Sequence, residues 1–215
     1  MARPFRQQAD EEILDRAAAL FAQRGFAKTS VADVAAAVGL SKAGLLHHFP
    51  SKESLHDAVR AQADALGERV LAQVAGRPAG VARDRRALEA LVDVAMAHPG
   101  LVALMLAPAL QGGAGAGVPA GGQAPPLEAP PLESPAVAAL AAFQVDPETT
   151  DPERVVRVIG ALSALAVLTL AAHTADRTTA WRPHIVATCV DALGSRRPGV
   201  LTSRTDSSHS DQAEA

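Results

Sequence analysis

Residues 39–53 read GLSKAGLLHHFPSKE. Gly39 ends one helical pattern, Ser41 caps the next, and Pro50 with Ser51 stops that stub at about Phe49 and opens another helix. The stub is too short to be stable alone, so its neighbours must hold it. On a helical wheel at about 100° per residue, Leu45 and Phe49 point together towards a small core. Ala43 and His47 point almost directly away from it. Gly44 and Leu46 flank that outward ridge, and Lys42 and His48 lie towards its edges. A merely solvated face would carry Glu, Lys and Gln. This one is small, apolar or bifunctional.

Working outward, Ser30 opens the preceding helix with Asp33 in capping-box spacing. Val31, Val34, Ala35 and Val38 form its buried stripe. Before it, Ile13, Leu14, Ala17, Leu20 and Phe21 make one apolar stripe that ends at Gly25. After the stub, a fourth helix is expected from Lys52 to about Val74. Two helices around a short glycine turn have helix-turn-helix proportions. Between Arg24 and Lys52 there are four basic residues against one acidic residue, although the whole chain carries a net charge of −3. Any nucleic-acid contact is therefore local.

On this face, Lys42, Ala43, Gly44, Leu46 and His47 are the candidates for reading base edges. Ala43 and Gly44 permit close approach, Ala43 and Leu46 suit thymine methyls, and Lys42 and His47 suit purine N7 or guanine O6. Around the rim, Thr29, Ser30, Ser41, His48 and Lys52 are the candidates for phosphate contacts, aided by backbone N–H groups at helix starts. The competing reading is plain: surface histidines and a core leucine.

From Ile13 to Val59 the sequence resembles the N-terminal domain of the tetracycline-repressor (TetR) family of bacterial transcriptional regulators. The pieces that carry the resemblance are ALFAQRGFAKTSV, VADVAAAVGLSK and FPSKESL. The family's third helix commonly bears tyrosine at the positions of Leu46 and His48. The resemblance therefore implies that a phosphate contact made by a tyrosine hydroxyl falls to His48, and that Leu46 makes no hydroxyl contact. It also implies an all-α homodimer, paired through the last two long helices. An effector would bind inside the body and alter the spacing of the two recognition helices.

Past Gly76–Gly80 the chain continues as helices over about 84–97 and 99–110. A glycine- and proline-rich stretch, Gln111–Pro135, is expected to be a flexible loop. A short helix to Phe143 follows, then a long one opened by Asp151-Pro152 and running to about Ala175, and a last one over Thr179–Leu193. No stretch reads as a strand. The expected fold is all-α, with a helix-turn-helix domain at 1–50, a connecting helix at 52–75, an effector-binding and dimerisation domain at 76–195 and a disordered tail at 196–215. The uncharged stretch Val158–Ala175 is barely of membrane-spanning length and contains Ser163, Thr169 and His173. A bundle helix or oligomer interface suits it better than a bilayer. The polar N-terminus and the single cysteine, Cys189, fit a cytoplasmic protein.

Other chemistry is weakly supported. His98, His173, His184 and Cys189 have no metal-ligand spacing, GGAGAG lacks the residues of a phosphate loop, and no nucleophile–base–orienter set is apparent. No enzyme, cofactor or metal is expected. The expected partners are double-stranded DNA, a second copy of the chain and an apolar small-molecule effector. Met96, His98, Met105, Ser163, Thr169 and His173 are the candidates to line the effector pocket. The alternative is a helical small-molecule-binding or enzymatic protein without DNA binding.

Overall fold

The structure, a computed structural model, describes residues 3–112, 134–146 and 148–194. Within them lie nine α-helices and no strand. They are α1 (Arg3–Arg24), α2 (Val31–Ala37), α3 (Lys42–His48), α4 (Lys52–Val74), α5 (Val81–Ala97), α6 (Pro99–Gly112), α7 (Ser134–Ala142), α8 (Pro152–Thr174) and α9 (Thr178–Ala192). The fold is therefore all-α, as expected. The central part of the glycine- and proline-rich stretch and the tail fall outside the described residues.

Local chemistry fixes most helix ends. α1 stops at Gly25, whose φ of +78° is open to glycine without strain. α2 ends in a Schellman turn. Gly39 has φ +70°, its N–H donates to the Ala36 carbonyl, and the Leu40 N–H donates to the Ala35 carbonyl. Asp151 accepts from the Arg154 N–H, and Pro152 takes the first position of α8. Two helices begin earlier than the sequence patterns indicate. α1 starts at Arg3, before its apolar stripe, and α5 starts at Val81 rather than 84. Arg83 thereby enters the helix, and it and Asp84 are buried, which their charge does not announce.

Two apolar clusters organise the packing. One gathers Ile13, Leu14, Phe21, Val34, Leu45, Leu55 and Val59. The other gathers Val74, Leu88, Val92, Phe143, Val158, Leu165 and Ile185. α4 serves both, with Leu55, Val59 and Leu66 in the first and Val70 and Val74 in the second. α6 packs along α1 and also sends Leu101 into the first cluster.

The chain bends by 102° between α5 and α6. Pro99 has no N–H to satisfy at the first position of α6. The next two amides, of Gly100 and Leu101, both donate to the Asp15 carboxylate of α1, each at 3.1 Å. Asp15 thus does from another helix what an N-cap residue does from its own. The two backbones are so close that a β-carbon on Gly100 would stand 1.9 Å from the Asp15 carbonyl oxygen.

α8 is long and apolar enough to cross a membrane by length and composition. In the fold it packs on α9, α5 and α6 through one stripe, Val158, Ala161, Leu165, Thr169 and Ala172. A second stripe of the same helix stays uncovered: Val156 is 69%, Ile159 48% and Val167 55% exposed.

Candidate nucleic-acid interface

The stub begins as its sequence requires. The Ser30 hydroxyl accepts from the Asp33 N–H at 3.1 Å, and the Asp33 carboxylate accepts from the Ser30 N–H at 2.8 Å, closing a reciprocal cap on α2. The Ser41 hydroxyl accepts from the Gly44 N–H at 3.0 Å and caps α3. Leu45 is fully buried and Phe49 packs against the same cluster, so α3 is clamped along one side. Lys42, Ala43 and His47 are exposed, and Gly44, Leu46 and His48 are half-buried beside them. The five residues expected to read bases therefore share one accessible face of a short, capped helix.

The rim differs from expectation in its details. Thr29 is 1% exposed, and its hydroxyl donates to the Gly25 carbonyl at 2.9 Å. That hydroxyl holds the α1–α2 turn together and does not face solvent, so Thr29 is withdrawn as a phosphate donor. Ser30 is exposed, yet its N–H and O–H both donate to Asp33, the latter at 2.6 Å. Its donors are committed to the cap. Ser41 keeps an exposed hydroxyl whose proton is not used by the cap. Lys52 donates to the Phe26 carbonyl at 3.0 Å, with its ammonium 4.1 Å from the centre of the Phe26 ring. An ammonium has three protons, so Lys52 can anchor the turn and still present charge outward. His48 Nδ1 lies 2.8 Å from the Asp10 carboxylate of α1.

Asp33, the one acidic residue between Arg24 and Lys52, has its carboxyl held below the usual aspartate range. The Ser30 side-chain hydrogen bond contributes most, then the Ser30 backbone, with Arg24 adding its positive charge. Arg24 Nη1 lies 3.4 Å from this carboxylate.

The body contains a small apolar cavity of about 70 Å³. Leu66 and Val70 of α4, Val94 of α5, His98, Met105 of α6 and Ala139 of α7 are among the residues that line it. Of the six residues expected around an effector, it brings together His98 and Met105. The others lie elsewhere. The Met96 carbonyl accepts from His173 Nε2 at 2.7 Å, the buried Thr169 hydroxyl donates to the Leu165 carbonyl at 2.9 Å, and Ser163 is exposed on the outer side of α8. Each has a packing or surface role that helical periodicity alone does not separate from pocket lining. Sequence reasoning missed Asp10 and Asp15, because both act on elements far along the chain and no local spacing marks them.

A capped helix-turn-helix whose second helix offers its outer face to solvent defines a DNA-binding module. Residues 13–59 match the family described as "Bacterial regulatory proteins, tetR family". Over 48 residues the chain is 52% identical to the HTH-type transcriptional repressor KstR2 of Rhodococcus jostii RHA1, covering 22% of this chain and 24% of that protein. Over 46 residues it is 48% identical to KstR2 of Mycobacterium tuberculosis H37Rv, covering 21% and 23%. Over 47 residues it is 38% identical to IcaR of Staphylococcus aureus Newman, the negative transcriptional regulator of the icaADBC biofilm operon, covering 22% and 25%. The match thus spans about a quarter of the length of these curated relatives. A crystal structure of the TetR family transcriptional regulator PfmR from Thermus thermophilus aligns over 87% of this chain and 85% of its own, at 21% identity and a TM-score of 0.28, a likeness too distant to carry any assignment. Residues 13–59 are thus similar to the DNA-binding region of the TetR family of bacterial regulatory proteins.

Proposed function

We propose that this chain is a cytoplasmic, ligand-responsive repressor that binds a near-palindromic operator as a homodimer and leaves it when a small hydrophobic effector enters the body. The proposed division is a helix-turn-helix domain at 1–50, the connecting helix α4 over 52–75, and an effector and dimer domain at 76–195. The observation that carries the reading is the exposed face Lys42, Ala43 and His47 on a helix clamped by the buried Leu45. Such a helix enters a major groove, with Lys42 and His47 at purine edges and Ala43, Gly44 and Leu46 in close apolar contact. Ser41, His48 and Lys52 surround it with donors for phosphates.

Dimerisation is supported by the second stripe of α8. Val156, Ile159 and Val167 are apolar and uncovered, and Trp181 of α9 is 39% exposed. A second copy would bury these residues in the manner of an obligate interface. Leu168 packs inward against the body core, so a charge there tests folding, whereas Val167→Glu tests association alone.

The effector reading is supported by the cavity, whose lining is apolar apart from His98. At about 70 Å³ it is well below the roughly 300 Å³ of a typical ligand site, so the effector must spread the helices that enclose it. His98 immediately precedes α6, whose first turn is held by Asp15 of α1. Spreading at His98 would pull on the helix that carries the DNA-binding core. Ligand and DNA affinities would then be coupled reciprocally.

The test is selection of duplexes from a random-sequence pool by the full chain, followed by affinity measurements with the recovered site and a scrambled one. His47→Ala should weaken the recovered site by on the order of 1–3 kcal/mol and leave the scrambled duplex unchanged. Equal losses on both would remove His47 from base readout, and failure to enrich any sequence would remove the operator reading.

A further inference from the structure

We infer that the cavity in the body takes an uncharged, straight-chain molecule with a single hydroxyl or carbonyl oxygen, which enters head first. Its oxygen hydrogen-bonds to His98, and its chain lies along α6 towards Met105. The inference rests on the effector reading above and deepens it by naming the class of ligand.

The two ends of the lining differ. His98 is 9% exposed and Met105 46%, and both line the cavity. They stand about 10 Å apart along α6 at the rise of a helix. The closed end is therefore at His98 and the open end at Met105.

The backbone of His98 is already used. Its N–H donates to the Val94 carbonyl at 2.9 Å, and its carbonyl accepts from the Val102 N–H at 3.2 Å. Its imidazole has no hydrogen bond to a described residue, and its nitrogens are not among the buried polar atoms sealed off without a partner. On a ring so nearly enclosed, they open into the cavity. Neither nitrogen is committed, so the tautomer is free to turn an N–H towards a hydroxyl or carbonyl oxygen.

The rest of the lining is apolar and holds no carboxylate, ammonium or guanidinium. An ionic ligand would be buried without a counter-charge, which is costly. A ligand with no oxygen would leave the imidazole desolvated and unpaired. The molecule that fits is apolar along its length and polar at one end.

Width decides between chains and rings. Gly67 of α4 and Ala138 of α7 both line the cavity, and a β-carbon on Gly67 would stand 2.9 Å from that of Ala138. The two backbones thus meet with no side chain between them that a rotation could move aside. A fused-ring or branched body must push α4 and α7 apart, whereas an extended alkyl chain needs the least separation. About 70 Å³ spread over the length from His98 to Met105 makes a slot rather than a bowl.

The probes are hexan-1-ol, 1-chlorohexane, which has the same chain without the oxygen, and 1-adamantanol, which has the oxygen on a cage. Their binding to the full chain is measured by calorimetry. The affinity of the duplex recovered by selection is then measured with and without each probe. Hexan-1-ol should bind at least tenfold more tightly than 1-adamantanol. His98→Phe, which keeps a flat buried ring, should weaken hexan-1-ol about fivefold to tenfold and leave 1-chlorohexane no weaker. From butan-1-ol to octan-1-ol, affinity should rise about fourfold per added carbon and then level off as the chain emerges past Met105. Equal losses of both linear probes in His98→Phe would overturn the inference, as would tighter binding of 1-adamantanol or failure of every probe to bind. Where a probe still weakened operator binding, the effector reading would stand without it. The expected preferences with no change in operator affinity would uphold the ligand class and overturn the effector reading.

Discussion

The helices around α2 and α3 and those around α5, α7 and α8 are held by opposite means. The first group is fastened by small hydroxyl and carboxylate caps at exposed turns, between residues three apart: Ser30 with Asp33 and Ser41 with Gly44. The second is fastened by buried charge acting over long stretches of chain. The Arg83 guanidinium donates to the Val74 carbonyl at 2.7 Å, the Arg77 carbonyl at 2.9 Å and the Ala142 carbonyl at 3.0 Å, tying α4, α5 and α7. Its neighbour Asp84 accepts from Arg154 of α8 at 2.8 Å. Caps leave a face free to touch a large partner. Buried polar clasps give a body that tolerates movement poorly unless the movement respects them.

The largest way to break this contrast is at the joint between the two groups. Gly100→Ala would drive a methyl against the Asp15 backbone, which no side-chain rotation relieves. Its expected cost is about 3 kcal/mol or more, read as a lowered denaturation midpoint monitored by circular dichroism. An unchanged midpoint would mean that α1 and α6 do not pack this closely.

Next comes the clasp. Arg83→Met keeps length and apolar bulk but removes the guanidinium from three carbonyls, of which only that of Val74 keeps a further donor, the Arg77 N–H, among the described residues, at an expected cost of about 2–4 kcal/mol. Cys189 supplies a local reporter. It is fully buried, and burial pushes its thiol up to about 11. It should resist thiol reagents near neutral pH in the wild type and react faster in Arg83→Met. Equal labelling rates would show that the clasp does not govern opening of the body.

The smallest effect is expected at the caps. Ser30→Ala should cost about 1 kcal/mol, seen as a modest shift in urea midpoint at pH 7. The lowered Asp33 carboxyl sets a direction. Its contribution is present above the ordinary aspartate range and is lost as pH falls through the folded value. The gap between wild type and Ser30→Ala should therefore narrow on acidification below about pH 4. A gap that widened there would mean that Asp33 is not the hydroxyl's partner.

The same contrast explains what could be read from the sequence. Caps, stops and stripes are local, and so the starts of α2, α3 and α4 and the outward face of α3 follow from residues a few positions apart. Ser51 and Lys52 mark the start of α4, and Val74 its end, in both sequence and structure. Thr29 misleads because a hydroxyl at a helix start looks the same whether it faces water or the preceding turn. The body resists for a different reason. Met96 shares α5 with cavity-lining residues, whereas Ser163, Thr169 and His173 lie on α8, which contributes none of the lining described, and only the crossing of helices decides which side chain meets a cavity. Asp10 and Asp15 give no signal, since their partners lie 38 and 85–86 positions along the chain.

Asp15's hold on α6 bears on the order in which this chain acquires its shape. A helix whose first turn is completed by a residue of another helix cannot be finished before that helix is in place. During synthesis α1 emerges first, so Asp15 is waiting when Gly100 and Leu101 leave the ribosome. A fragment that begins after α3 would lack this acceptor. Its α6 would fray at the start, beside His98 and the cavity wall. That fragment, expressed alone, is thus expected to offer a looser cavity than the intact protein, and small molecules selected on it would be selected on a different shape.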